Sequence, residues 1–234
     1  MVDMDTPITA IEPNLALLRL LQLVSPSLPV GGFTYSQGME WAVECGWIKT
    51  AIDLEAWSED QLHSTIARLD LPILWRMHAA VERDELAALQ QWSSFLLACR
   101  ETSELRLEER NRGRALADLL VKLELPGSGS WKSFLAQSQL AGFAFAACRW
   151  AIPLEQAALG YAWSWLENLV LAAVKLIPLG QTQGQQVLQR LSPMIPPLLP
   201  VAWQLHDDEI GAANPALAIA SSLHETQYTR LFRS

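Results

Sequence analysis

The sequence has little charge. Asp, Glu, Lys and Arg make up 18% of its 234 residues while 50% are hydrophobic, against a usual charged share of about a quarter. Its 25 acidic and 17 basic residues leave a net charge of −8, and the absence of a basic field speaks against a nucleic-acid partner. Cysteine is scarce. Cys45, Cys99 and Cys148 are odd in number and widely spaced, which argues against a disulfide framework and for a reducing compartment. No uncharged apolar run reaches the roughly 18–20 residues of a membrane helix. The first fourteen residues carry two Asp and one Glu and no apolar signal core. A soluble, cytoplasmic protein without a membrane partner is expected. Catalytic spacings are also missing. There is no Gly-x-x-x-x-Gly-Lys-Ser/Thr phosphate loop, so the chain should not hydrolyse GTP itself, and no His-x-x-x-His or Cys-x-x-Cys. What the chain has in excess is apolar surface, which either fills a large core or is covered by another protein.

Leucine and alanine together number 70, valine, isoleucine and threonine only 30, a composition that favours helix over sheet. No period-two alternation and no Asn-Gly hairpin signal interrupts it. The expectation is an all-α fold, a single-domain bundle of about ten helices with short loops. It divides into a loose arm over 1–13, a helical domain over 14–222 and a tail over 223–234. Helices are expected over 14–24, 35–45 (ended by Gly46), 53–68 (capped by Asp53), from about Pro72 to Arg83, and over 85–100. A charged helix over 103–124 ends at Pro126-Gly127-Ser128-Gly129, read as a surface loop. Residues 131–205 contain six charges: Lys132, Arg149, Glu155, Glu167, Lys175 and Arg190. Within them Ala157–Val174 is apolar nearly all the way round, as befits a helix buried along the axis of the bundle. Prolines 193, 196, 197 and 200 then break the chain into short pieces, and Asn214-Pro215 has the cap-plus-proline form of a last helix start.

Few side-chain groupings suggest chemistry. The four histidines (His63, His78, His206, His224) are scattered. His206-Asp207-Asp208 resembles a metal triplet, but adjacent residues on a helix point in different directions, and a solvated turn is the stronger reading. Asp207-Asp208 also raises the rival of a helical, magnesium-dependent diphosphate enzyme. Such enzymes need Asp-Asp-x-x-Asp, and the carboxylate one turn on is absent here. The stretch 100–114 alternates acids and bases, with Glu108 and Arg112 in the favourable i,i+4 order. It is either an ion-laced solvated face or a contact surface.

Residues 21–41 are the most informative. Pro26 and Pro29 should stop the first helix near Val24, Gly31-Gly32 frees the backbone, and Thr34 with Gln37 has the form of a capping box. The result would be a tight loop presenting Phe33 and Tyr35 beside Gln37 and Glu40. Downstream, Gly180-Gln-Thr-Gln-Gly-Gln185 follows Pro178 and is either an ordinary helix–helix turn or part of a functional surface near that loop. The last residues carry Tyr228, Leu231 and Phe232 at i, i+3, i+4 spacing between Arg230 and Arg233. That spacing suits either docking on the chain's own bundle or, as preferred here, a helical anchor ordered on a partner.

The string Ser25–Trp41 closely resembles the N-terminal signature of the urease accessory protein UreF family. Lys175–Gln185 is similar to that family's second signature, His224–Ser234 to its third, and Arg100–Arg112 more loosely to a fourth. The resemblance implies an all-helical, homodimeric, non-enzymatic accessory protein for urease maturation. It would bind a UreD/UreH-type accessory protein and, through that complex, the GTPase UreG, and the assembly would deliver nickel to apo-urease with GTP hydrolysis by UreG. Nickel and GTP would be handled by the partners, with no cofactor or metal bound by this chain directly. The resemblance assigns partner binding to Pro29, Gly31, Gly32, Phe33, Tyr35, Gln37 and Glu40, to Gly180, Gln181, Gly184 and Gln185, and to Tyr228, Arg230, Phe232 and Arg233.

Overall fold

The computed structural model of the chain describes residues 12–211 and 213–234, and they fold into helices and short turns with no strand among them. Most of the arm expected over 1–13 lies outside the described residues. The all-α expectation holds. The helices are α1 (Pro13–Leu23), α2 (Met39–Glu44), α3 (Ala51–Gln61), α4 (Leu71–Glu82), α5 (Leu86–Cys99), α6 (Ser103–Lys122), α7 (Ser128–Leu135), α8 (Gln139–Arg149), α9 (Leu154–Leu176), α10 (Gln181–Leu191), α11 (Leu198–Gln204) and α12 (Pro215–His224).

The core forms around α8. Every residue from Gln139 to Ala147 is buried, because Ala, Gly and Phe alternate without a charge and no face of the helix calls for water. α6 and α4 cover it. At the α6 crossing Gly113 is needed for close approach: a Cβ there would stand 2.6 Å from the Ser138 carbonyl carbon. α9, expected to be the buried axis, is the longest helix and touches α1, α2, α3, α4, α8, α10 and α11. It is nevertheless half-exposed at Leu159 and Trp163. The axis role therefore falls to α8.

Two expected boundaries shift for local reasons. Asp53 is not the cap of α3 but its third residue. Thr50 caps the helix, accepting from the Asp53 amide (3.3 Å), while Asp53 Oδ2 accepts from the Thr50 amide (2.9 Å). Pro72 lies in the first turn of α4, as expected, but that helix is not separate from α3. α3 and α4 are joined by a wider π-helical segment, Leu62–Asp70, into one rod. Proline lacks the N–H that would bond the Arg68 carbonyl four residues back. That carbonyl is taken instead by the amide of Gly211, at 3.1 Å, so the interruption of the ladder ties a distant loop to the rod. At the other end Asn214 caps α12 as expected, its Oδ1 accepting from the Leu217 amide at 2.9 Å.

Candidate interaction surface

The 31–40 loop departs from the capping box expected of it. Gly32–Thr34 is a single 3-10 turn, Gln37 and Gly38 both have positive φ (53° and 77°), and the helix begins only at Met39. Packing outweighs the local signal here. Gly38 lies so close to α12 that a Cβ would stand 2.7 Å from the Ser221 amide nitrogen. The Gln37 side chain turns inward rather than back on its own helix. Its Oε1 accepts from Trp165 Nε1 (2.9 Å) and its Nε2 donates to Glu108 Oε1 (3.1 Å). Ser36 supplies the cap instead, its Oγ accepting from the Glu40 amide at 3.2 Å.

The last residues close over this loop. They are not helical beyond His224, so the i, i+3, i+4 reading of Tyr228, Leu231 and Phe232 is corrected. Main-chain and carboxylate bonds fix an irregular path. The amides of Leu231 and Phe232 donate to the two Glu40 oxygens (2.6 and 2.8 Å). The Arg233 amide donates to the Thr34 carbonyl (2.9 Å). The Ser36 amide and hydroxyl both donate to the Ser234 carbonyl (2.6 Å each). Phe232 is buried, whereas Tyr228 and Leu231 stand fully and largely exposed. Arg230 pairs with Glu104 (2.5 Å).

His224, at the end of α12, sits between two carboxylates. Its Nδ1 is 2.6 Å from Glu104 on α6 and its Nε2 is 3.2 Å from Glu40 on α2. Glu40, Glu104 and His224 belong to three of the four resemblance blocks, and they meet in one buried cluster. The fourth contributes Lys175, whose Nζ lies 5.9 Å from the Phe33 ring and 5.6 Å from that of Phe232, within cation–π range. The remainder of that block diverges. Along α9, Trp165, Asn168 and Lys175 recur at three and seven residues and so share the face that meets the loop, where Asn168 is a neighbour of Gly32. Gly184 instead packs on Val170 and Val174, about 200–240° round the helix from Asn168 at 100° per residue. Gly180, Gln181 and Gln185 are exposed there. The Gln183 side chain closes the turn by accepting from the Gly180 amide (3.1 Å). The 180–185 turn and the 31–40 loop thus flank α9 rather than adjoin. Pro29 is exposed, Gly31 adopts φ 73°, and the Tyr35 hydroxyl accepts from Asn111 (3.4 Å).

Under the surface, the stretch 100–114 is neither a solvated face nor an open contact face alone. Glu108 and Glu109 are buried. Arg100 bridges Asp70 and Glu109 (3.0 Å each), the Tyr161 hydroxyl donates to Asp70 (2.9 Å), and Arg112 pairs with Glu108 (2.8 Å) as the spacing predicts. Burial pushes the Asp70 carboxyl up from its ordinary range, opposed by the charge of Arg100, and burial likewise pushes the Tyr161 phenol well up. The network ties α4's rod, α6 and α9 together behind the loop. Sequence reasoning missed the roles of Ser36, Glu104 and His224 and the contacts of Glu108 beyond Arg112, because those partners lie 71 to 198 residues away in the chain. Only the i,i+4 repeat of Glu104 and Glu108 marked a shared face.

Asp207 pairs with Arg76 (2.9 Å) in an exposed turn, and Glu209 Oε2 accepts from the His206 amide (2.9 Å). Among the described residues no group of three or more His, Cys, Asp or Glu is placed to hold a metal, and no helix is long and apolar enough to cross a membrane. What the geometry builds is a shaped, partly apolar surface over a rigid polar interior, the mark of an interaction protein.

Comparison with known proteins agrees. The UreF family model matches residues 48–192. Similar proteins include the urease accessory protein UreF of Pseudomonas putida (strain GB-1), 55% identical over 94% of this chain and 99% of the relative. That of Alcanivorax borkumensis is 54% identical over the same shares of the two chains. That of Enterobacter sp. (strain 638) is 47% identical over 95% of this chain and all of its own. The chain belongs to the UreF family of urease accessory proteins, helpers in urease maturation rather than enzymes.

Proposed function

We propose that this chain is the scaffold of a nickel-delivery complex. The face made by the 31–40 loop and residues 224–234 binds a UreD/UreH-type accessory protein. Through that complex the chain recruits and gates the GTPase UreG for nickel insertion into apo-urease. The observation that carries this is the convergence of three separated sequence blocks, joined by Lys175 of the fourth, on one face, with Phe33, Tyr228 and Leu231 left exposed beside a buried, hydrogen-bonded frame. Aromatic and aliphatic side chains on rigid backbone lose little entropy on binding and make effective anchors. The 180–185 turn, on the other flank of α9, is the region we assign to the GTPase. The homodimer implied by the resemblance uses the exposed leucines of α1 (Leu15, Leu17, Leu18 and Leu21). Of these, Leu17 and Leu21 line a groove of about 410 Å³ together with Gly160 and Trp163 of α9.

A urease-producing cell carrying Phe33→Ala, Tyr228→Ala and Leu231→Ala together should accumulate urease at normal level with nickel content reduced at least about fivefold. Because all three side chains are solvent-facing, the bundle should keep its melting temperature. Normal nickel loading by this variant would refute the assignment of the face.

A further inference from the structure

Gln37 stands where the 31–40 loop turns beneath the closing segment, and its backbone is held against preference. Its φ of 53° lies in the left-handed region, which a residue with a long side chain seldom adopts. Gly38 follows at φ 77°. Two left-handed residues in succession bring the chain onto α12, where a Cβ on Gly38 would stand 2.7 Å from the Ser221 amide nitrogen. Glycine would occupy position 37 without strain. The side-chain bonds explain why glutamine stands there instead. A tryptophan indole only donates and a carboxylate only accepts, so a group placed between Trp165 and Glu108 must accept on one side and donate on the other. The Gln37 amide does both, at 2.9 and 3.1 Å.

Glu108 carries the connection onward. Its Oε1 also accepts from Arg112 (2.8 Å), and its Oε2 accepts from the Ser234 hydroxyl (3.1 Å). One buried carboxylate on α6 therefore takes the loop on one oxygen and the closing segment on the other. Ser234 returns to the loop through its carbonyl, which accepts from both the amide and the hydroxyl of Ser36. Ser36, Gln37, Glu108 and Ser234 thus form a closed ring of bonds. We propose that Gln37 is a positioning residue. By bridging Trp165 and Glu108 it fixes the register between the loop and the closing segment, and with it the placement of Phe33 relative to Tyr228 and Leu231, without touching the partner. Its effect on partner capture rests on the function proposed above, whereas its effect on the register does not.

The test uses the full chain in four forms: wild type, Gln37→Glu, Glu108→Gln and the two together. Gln37→Glu sets two carboxylates against each other. The double variant exchanges the amide and the carboxylate, so an acceptor still faces Trp165 and a donor again meets an acceptor between positions 37 and 108. Hydrogen-exchange protection of the Ser36, Leu231 and Phe232 amides should fall at least about tenfold in Gln37→Glu relative to the α8 amides of the same sample, and recover to within about threefold of wild type in the double variant. No loss in Gln37→Glu, a loss that the second substitution leaves in place, or a loss shared equally by α8 would overturn the assignment. Should Gln37→Glu not fold, Gln37→Gly removes both bonds while adopting the same φ without strain. The same local loss in that variant supports the positioning role, and wild-type protection refutes it. The Kd of a purified UreD/UreH-type protein, measured on the same chains, should follow the same cycle, rising at least about fivefold in Gln37→Glu. Protection that follows the cycle while Kd stays constant sustains the positioning role and removes only the reading of this face as the partner's site.

Discussion

At the scale of single residues, the two buried histidines lie in different surroundings. His224 lies among carboxylates, whereas His78 lies in α4 with its Nε2 buried and without a hydrogen-bond partner. Burial pushes the His78 imidazole down from its ordinary value, the exposed Glu82 opposing weakly at 3.6 Å. The unfolded chain therefore takes up this proton first. Global stability is fully present above about pH 6.5 and is lost as pH falls through the lower folded-state value, with a slope of at most about 1.4 kcal/mol per unit. Urea denaturation between pH 7 and 5 should show that slope, and His78→Leu should flatten it while leaving the stability at pH 7 within about 1 kcal/mol. Neither role was legible in the sequence. A histidine's neighbours across 120 or 184 residues of chain leave no local trace, so all four histidines read alike.

Among the elements, legibility followed how local the deciding contact was. Asn214-Pro215 was read correctly because cap and helix lie within three residues. The Thr34–Gln37 box was read wrongly because Gln37 has better partners in Trp165 and Glu108 than in its own backbone. Pro72 was placed correctly near a helix start, but the continuity of α3 with α4 was not legible, because a lone sequence does not reveal that the Gly211 amide will satisfy the carbonyl that proline leaves free. The helix buried on every face was sought among the longest apolar runs and found in α8, where small residues permit contact on all sides. That contact gives a direct test. Gly113→Ala places a methyl against backbone that has no rotamer to yield, and should cost about 1–3 kcal/mol in denaturant unfolding. Gly129→Ala on α7, where a Cβ would meet nothing within 4 Å, should instead stabilise by up to about 1 kcal/mol.

For the molecule as a whole, fold class and family were both readable from the sequence, the first from composition and the second from four ordered blocks. How those blocks assemble was not. Three meet at the Glu40–His224–Glu104 cluster, and the fourth divides across α9, with Lys175 facing the loop and Gly180–Gln185 facing away. The segment 224–234, first read as a free anchor, is part of the frame, so its complete removal would uncover Phe232's site and confuse folding with binding. Point substitutions of exposed residues are the sharper tool. On the α1 side, Leu18→Glu with Leu21→Glu should convert a dimer to monomer in sedimentation equilibrium without loss of helicity. The most direct test lies on the opposite question, whether the loop-and-tail face binds the accessory partner. The affinity of a purified UreD/UreH-type protein should be measured for the wild-type chain, for Tyr228→Ala with Leu231→Ala, and for Ile52→Ala on α3 as an exposed control. The double variant should raise Kd at least about tenfold, as expected when two exposed anchors worth about 1 kcal/mol or more each are lost, with the control unchanged. Equal affinity for all three chains would show that the partner binds elsewhere.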